Sequence, residues 1–230
     1  MPKPFAIDPK IMSRIRPMRE RDVRRVAQLH SVAMGQSLWA QLGKGFLETL
    51  YRGLLQSPLF LGFVYEEGEW IEGFIAGSLN PSDMMRSILV ERNIFLGLSV
   101  GVALLTQPRK APRISRKLLE TTSYFKESQG VQSDQIMAES LFCSFTPRTR
   151  GKRISGHINK VLFDTLLSRG ESWVKITTEQ DNIGANRQLR SWGFVEDHQF
   201  TFYGKEMVTY ILNLSESDRV EHVDHLNHIQ

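Results

Sequence analysis

Apolar residues recur at helical spacing in two segments of the first quarter of the chain. The first pattern consists of Val23, Val26, Ala27 and Leu29-His30, and it follows a short strand at 15–16 and a break at Pro17. The second covers residues 44–55, where apolar side chains follow a 3.6-residue period, and Pro58 ends it. We therefore predict a strand followed by two amphipathic helices.

Short segments rich in apolar residues, bounded by polar turns, are predicted to be strands. Residues 59–65 and 70–79 flank a polar turn and predict a hairpin, in which Gly73 and Gly77 indicate close packing. Further along, a strand at 173–179 precedes a helix at 184–191 that ends at Gly193, and strands at 195–202 and 206–214 form a terminal hairpin. The pattern predicts an α/β (α+β) fold with a mixed, mostly antiparallel central sheet flanked by helices.

The chain is organised around residues 136–170, where an apolar strand breaks at Pro147, crosses a basic turn and enters an amphipathic helix. Four of the six residues 148–153 in this turn are cationic, namely Arg148, Arg150, Lys152 and Arg153. The first N–H groups of a helix lack intrahelical partners, and the helix dipole is positive there. The unit therefore predicts an anion site that suits a cofactor with a pyrophosphate group.

Charge and cysteine content narrow the class of protein. The net charge is only +4, from 29 basic and 25 acidic residues, so the excess of basic residues is local rather than spread over the chain. No aromatic residues interleave with the cations of the turn. Both observations disfavour nucleic-acid binding. The single cysteine, Cys143, excludes an internal disulfide, and no secretory signal is visible. We expect a cytoplasmic protein with one domain over 1–214 and a polar tail over 215–230.

Residues 80–135 separate the third and fourth predicted strands and form a helical insertion. Within them the apolar run 94–105 is too short to span a bilayer, which needs about 20 apolar residues. We predict a buried or interfacial helix. A lid over a ligand pocket and a membrane-surface element remain alternatives, because basic residues follow directly. A homodimer also remains open.

The basic turn resembles the coenzyme A motif of the GNAT acyl-CoA N-acyltransferase superfamily, an Arg/Gln-x-x-Gly-x-Gly/Ala turn. Aligned on Pro147 and Ile154, Arg150 takes the first motif position, and Arg153 and Ser155 stand where the family has glycines. The segment 182–194, with Asn182, Ala185 and Gly193-Phe194, is similar to the family's C-terminal signature. Both partial motifs occur in the family's order.

The resemblance implies binding of acetyl-CoA and direct acyl transfer to an amine. Expected cofactor contacts come from the fourth strand, the basic turn and the C-terminal signature, namely Phe142, Cys143, Ser144, Phe145, Arg150, Gly151, Lys152, Arg153, Ile154, Ser155, Gly156, Asn182 and Asn186. Cys143 lies in an apolar strand and is expected to be a packing thiol that the cofactor passes, rather than a nucleophile. Asn182 also fits a helix N-cap.

Catalytic residues follow from the same resemblance. Glu139 is at the start of the fourth strand, where several family members place a carboxylate base. The family's usual general-acid tyrosine is replaced by Leu189, and Tyr203 is the candidate substitute. We expect no metal, although His222, His225 and His228 could approach one another, and we expect a solvated tail there instead.

The resemblance therefore implies an N-acetyltransferase that moves an acetyl group from acetyl-CoA to a primary amine of a small molecule. An acyltransferase with a longer acyl-CoA is one alternative, since the insertion is apolar. A catalytically weak acyl-CoA-binding or regulatory module is the other, favoured by Leu189 and Arg153 in place of the family's tyrosine and glycine.

Overall fold

Seven strands form one sheet in the order β1-β2-β3-β4-β5-β7-β6. The strands are β1 Ile15–Pro17, β2 Phe60–Glu67, β3 Trp70–Ser78, β4 Glu139–Phe145, β5 Trp173–Glu179, β6 Val195–Phe202 and β7 Lys205–Asn213. A computed structural model describes residues 6–33, 42–91, 136–202 and 204–227. Within these ranges only β4 and β5 pair in parallel, so the predicted mixed, mostly antiparallel sheet is confirmed.

Helices cover both faces of the sheet. They are α1 Pro9–Met12, α2 Val23–Ala33, α3 Lys44–Leu54, α4 Pro81–Glu91, α5 Ile154–Ser168 and α6 Ile183–Trp192, with 3-10 turns at Glu20–Asp22 and Pro147–Thr149. One core lies between the sheet and α2, α3 and α4, and it includes Val26, Leu47 and Phe74. The other lies between the sheet and α5 and α6, and it includes Phe163 and Tyr210. Helices α2 and α3 thus bury the face that their apolar spacing predicts, whereas α5, predicted to be amphipathic, is buried at every position over 157–167.

The predicted insertion is described only at its start. Helix α4 occupies Pro81–Glu91, and its Met84 and Ile88 are buried against the α2 and α3 side of the sheet. The apolar run 94–105 and the basic residues after it lie outside the described residues. None of the described helices has the length and apolar content to cross a membrane.

The polar tail, predicted to be solvated, instead packs on α5 as far as residue 227. The ammonium of Lys160, 2% exposed, lies 3.1 Å from Asp164 Oδ1 and 2.9 Å from the carbonyl oxygen of Arg219. The backbone N–H of Glu221 donates to the same carboxylate at 2.9 Å, and His225 Nε2 lies 3.2 Å from it. The solvated tail was therefore a wrong prediction, because a buried Lys–Asp pair needs these extra partners to satisfy its charges.

Histidines of the tail do not assemble a metal site in the described part of the chain. His225 binds Asp164, His222 is exposed, and His228 is outside the described ranges. No described group of three or more His, Cys, Asp and Glu side chains could hold a metal ion.

Close packing at the two strand glycines was predicted, and the surroundings of both are crowded. A Cβ on Gly73 would lie 2.1 Å from Cδ1 of the Phe145 ring, and one on Gly77 would lie 2.8 Å from a methyl group of Leu162. Gly73 therefore allows the ring at the end of β4 to lie directly over β3.

Gly73→Ala is expected to lower the free energy of unfolding by about 1–3 kcal/mol, because the Phe145 ring must move out of its packed position. Urea unfolding measures this change. Gly45→Ala in α3 is the matched control, since no atom lies within 4 Å of its added Cβ, and it should change stability by no more than about 1 kcal/mol. Equal effects of the two substitutions would contradict the packing argument.

Candidate functional site

A slot opens between β4 and β5. The two strands pair at Glu139 with Lys175 and at Ser140 with Ile176, and the pairing then stops although β4 continues to Phe145 and β5 to Glu179. Neighbouring parallel strands would normally continue their hydrogen bonds along their shared length. Backbone groups of β4 beyond Ser140 therefore face a gap rather than a partner strand, and an extended ligand with amide groups could pair with them.

A β-bulge in β4 marks the point where the slot opens. Ala76 of β3 pairs with Phe142 and Gly77 with Ser140, so Leu141 is an extra residue in β4. Leu141 and Phe142 consequently both pack on the core beneath α2 and α3. Such a bulge bends its strand and increases the local twist, which accounts for the divergence of β4 from β5.

Side chains of β4 past the bulge alternate between the two faces of the sheet. The Ser144 hydroxyl donates to the carbonyl oxygen of Leu29 in α2 at 3.3 Å. Cys143 and Phe145 pack on the opposite side, against the core beneath α5. Burial raises the pKa of the Cys143 thiol to about 12, so the thiol is protonated at neutral pH and is a poor nucleophile.

The basic turn between β4 and α5 contains two residues in the left-handed region. Gly151 has φ 74° and Arg153 has φ 61° and ψ 13°, and Arg153 is the only non-glycine residue with positive φ in the described ranges. The position that aligns with a family glycine thus keeps the backbone conformation that glycine favours.

Arg153→Gly is expected to raise the free energy of unfolding by about 0.5–1 kcal/mol, because glycine adopts the left-handed region without the clash of a Cβ. Thermal or urea unfolding measures this. Lys152→Gly is the matched control, since the described backbone of Lys152 is not left-handed, and it should lower stability slightly. A loss of stability in both variants would contradict strain at Arg153.

Cations of the turn divide into paired and unpaired groups. Arg148 lies 3.8 Å from Glu72, and Lys152 lies 3.4 Å from Glu67, so both contact carboxylates of the β2–β3 hairpin. Arg150 and Arg153 are exposed and make no ion pair with any described residue. These two guanidinium groups are therefore the ones that an anionic ligand can use without displacing a carboxylate.

The N-terminus of α5 lies next to these arginines. No described side chain caps it, so the N–H groups of Ile154, Ser155 and Gly156 point out of the first turn. The Arg153 carbonyl oxygen accepts from the backbone N–H of His157 at 3.4 Å and from Nδ1 of the same histidine at 2.9 Å. His157 Nε2 in turn accepts from the backbone N–H of Asp8 at 2.9 Å. His157 thereby holds the turn in place at the helix start.

Glu139 lies at the closed end of the slot. Burial raises its pKa to about 6, and the nearby charge of Lys175 opposes part of that rise. Ala138 packs beneath α5, so strand alternation directs Glu139 to the face that carries α2 and α3. A carboxylate with a pKa near 6 is charged at neutral pH and is still basic enough to accept a proton.

Comparison with solved structures places this arrangement among known folds. An N-acetyltransferase from Staphylococcus aureus is 12% identical over 87% of this chain and 97% of its own, with a TM-score of 0.55. The protein yncA from Salmonella typhimurium, solved with its cofactor acetyl-CoA, is 13% identical over 91% and 98%, with a TM-score of 0.54. The chain has the fold of the GNAT acetyltransferases.

A third solved structure extends this likeness. A spermidine N-acetyltransferase chimera from Vibrio cholerae and hSSAT is 13% identical over 93% of this chain and 97% of its own, with a TM-score of 0.54. No family model and no curated protein sequence matches the chain. The likeness to these solved structures is therefore one of fold, at 12–13% sequence identity.

Asparagines of the C-terminal signature lie at the start of α6 in this GNAT fold. Asn182 Oδ1 accepts from the backbone N–H of Ala185 at 3.2 Å and caps the helix. Asn186 Nδ2 donates to the carbonyl oxygens of Glu179 and Gln180 at 3.1 and 2.9 Å. Both side chains therefore hold the end of β5 against α6, on the far side of the slot from β4.

The general-acid position differs from the GNAT pattern. Leu189 is 7% exposed and packs in the core beneath α6, where it has no proton to donate. Tyr203, the candidate substitute, lies outside the described residues. Among the described residues there are thus a candidate base, Glu139, and a candidate anion site at the start of α5, but no candidate general acid.

His30 and Tyr51 form a buried pair beside β4 that their positions on apolar helix faces did not predict. His30 is fully buried, its Nδ1 lies 2.9 Å from the Tyr51 hydroxyl, and its ring centroid is 4.7 Å from that of Phe142. Burial lowers the pKa of His30 to about 4. Helical spacing alone places His30 on the buried face of α2, and a histidine at such a position is the one feature of the sequence that could have indicated a buried polar contact there.

His30 is expected to make the protein less stable at acidic pH. Its folded-state pKa of about 4 lies below the usual 6.5, so the unfolded chain binds the proton more tightly. Its contribution is complete above pH 6.5, and about 3 kcal/mol is lost as the pH falls from 6.5 to 4. The measurement is the difference in unfolding free energy between the wild type and His30→Gln across this range, and a constant difference would contradict it.

Proposed function

We propose that this protein is a cytoplasmic N-acetyltransferase that moves the acetyl group of acetyl-CoA to a primary amine of a small molecule. The observation that carries the proposal is the meeting of two features at one end of β4. The slot beside β4 suits an extended amide-bearing arm, and the uncapped N-terminus of α5 with Arg150 and Arg153 suits a pyrophosphate. Coenzyme A contains both groups in one molecule.

Residues of the slot and the turn offer hydrogen-bonding and charged groups that complement the parts of this coenzyme. Backbone groups of residues 142–145 would pair with the pantetheine amides, and Asn182 and Asn186 would border the other side of the slot. The N–H groups at the start of α5 and the backbone of Gly151 and Lys152 would surround the pyrophosphate. Arg150 and Arg153 would balance its charge. The bound coenzyme would supply the acyl group as a thioester.

Glu139 is the base that we assign. It would take the proton from the acceptor's ammonium, directly or through one water, and thereby free the amine for attack. Its position on the α2 and α3 face favours an acceptor that binds on that side of the sheet. Protonation of the departing thiolate would come from Tyr203 or from water, because Leu189 cannot donate. No covalent enzyme intermediate is required, in agreement with the protonated state of Cys143.

Thiol release from acetyl-CoA tests the activity. The acceptor panel should contain simple primary amines, polyamines and a peptide with a free N-terminus, and longer acyl-CoAs should be run in parallel. We expect amine-dependent thiol release with at least one small amine. Binding of acetyl-CoA without turnover on any acceptor would favour the second candidate, an acyl-CoA-binding or regulatory module, which Leu189 at the acid position supports.

A further inference from the structure

An exposed tryptophan stands beside the basic turn. Trp70 begins β3, is 67% exposed, and makes no ring contact with another described aromatic residue. It pairs across the hairpin with Glu67, whose carboxylate lies 3.4 Å from Lys152 Nζ in the turn. Directly opposed residues in a sheet have Cβ atoms about 5 Å apart. Trp70 is therefore linked to the candidate pyrophosphate site through Glu67, which pairs with it, and Lys152, which contacts Glu67.

Trp70 is on the same face of the sheet as α5. The next residue, Ile71, packs in the core beneath α2, so alternation directs Trp70 to the opposite face. Glu67 confirms that direction, because its carboxylate also binds Arg14 at 3.0 Å, and Arg14 contacts the hydroxyl of Tyr65, which is buried beneath α5. The indole, the turn and the start of α5 thus share one side of the molecule.

We propose that Trp70 is a stacking surface for the adenine ring of the nucleotide whose pyrophosphate binds at the start of α5. This inference rests on the proposed function and adds a subsite to it. A nucleobase lies one sugar away from its phosphates, a short reach, and exposed indole rings stack on bases irrespective of base identity. Glu67 pairs with Trp70 across the hairpin and Glu69 precedes it in sequence, and their carboxylates can accept from an exocyclic amino group, which adenine has.

The same geometry explains why the turn's cations are divided. On the hairpin side of the turn, Lys152 and Arg14 both contact Glu67, and Glu69 precedes Trp70, so the positive and negative groups beside the indole balance. A base suits such an environment better than a phosphate does. The unpaired Arg150 and Arg153 remain for the phosphates.

Titration of the full chain with coenzyme A, ADP and pantetheine tests the proposal. Trp70→Ala should weaken binding of coenzyme A and ADP by about tenfold and leave pantetheine unchanged, whereas Trp70→Phe should retain binding within about threefold. Val195→Ala, which also removes an exposed apolar side chain, is the control and should have no effect. Quenching of tryptophan fluorescence by ADP should be reduced in Trp70→Phe.

The outcomes separate this inference from the proposed function. Wild-type binding of coenzyme A that is equal in Trp70→Ala would overturn the inference alone. No wild-type binding of coenzyme A or of any acyl-CoA would overturn both. Weaker binding of coenzyme A than of ADP would assign the subsite to a free nucleotide and would also contradict the proposal.

Discussion

Replacing both Arg150 and Arg153 by glutamine is expected to weaken acetyl-CoA binding by about a hundredfold or more. Both guanidinium groups are exposed, lie beside the uncapped start of α5, and have no carboxylate partner among the described residues. Each charge-assisted hydrogen bond to a phosphate contributes about 1.5–3 kcal/mol, so two together correspond to at least this loss. Isothermal titration of the variant measures it.

The double replacement of Arg148 and Lys152 by glutamine is the matched control. It removes the same two charges from the same turn, so the long-range field changes equally, but these cations already contact Glu72 and Glu67. We expect a loss of less than about fivefold. Similar losses in the two double variants would show that net charge, rather than the two unpaired arginines, determines binding.

Glu139→Gln is expected to lower kcat/KM by about a hundredfold at pH 8, because a positioned general base contributes about 10²–10⁴ to the rate. The rate ratio of wild type to variant isolates the carboxylate, since titration of the amine substrate affects both proteins equally. With a Glu139 pKa of about 6, this ratio should be greatest above pH 7 and should shrink as the pH falls through 6. Acetyl-CoA affinity should be unchanged.

Lys175→Met refines the test of Glu139. The charge of Lys175 lowers the pKa of that carboxyl group, so its removal should move the acid limb of the rate profile to higher pH. A pH-independent rate ratio for Glu139→Gln, or an unmoved limb in Lys175→Met, would remove Glu139 from the mechanism.

Much of the fold could be predicted because its signals are local. The 3.6-residue spacing of Val23, Val26 and Leu29 and the glycine that ends α6 at Gly193 report on backbone conformation within a few residues. The sheet's mostly antiparallel character followed from short connections at the two hairpins. Local periodicity also placed the basic turn at a helix start, which is the core of the candidate site.

Features that depend on distant partners could not be read from the pattern. The bulge at Leu141 exists only relative to β3, and it opens the slot. Pairing of Arg148 and Lys152 depends on carboxylates about 80 residues earlier, so four turn cations looked equivalent in sequence. The tail was misjudged for the same reason, because its polar residues satisfy Lys160 and Asp164 on α5.

Isothermal titration of the protein with acetyl-CoA tests the central claim most directly, because the slot and the start of α5 are proposed to form one coenzyme site. The account predicts binding of one equivalent, competition by free coenzyme A, and loss of binding in the Arg150 and Arg153 double variant. Absence of binding to acetyl-CoA, coenzyme A and a longer acyl-CoA alike would contradict it.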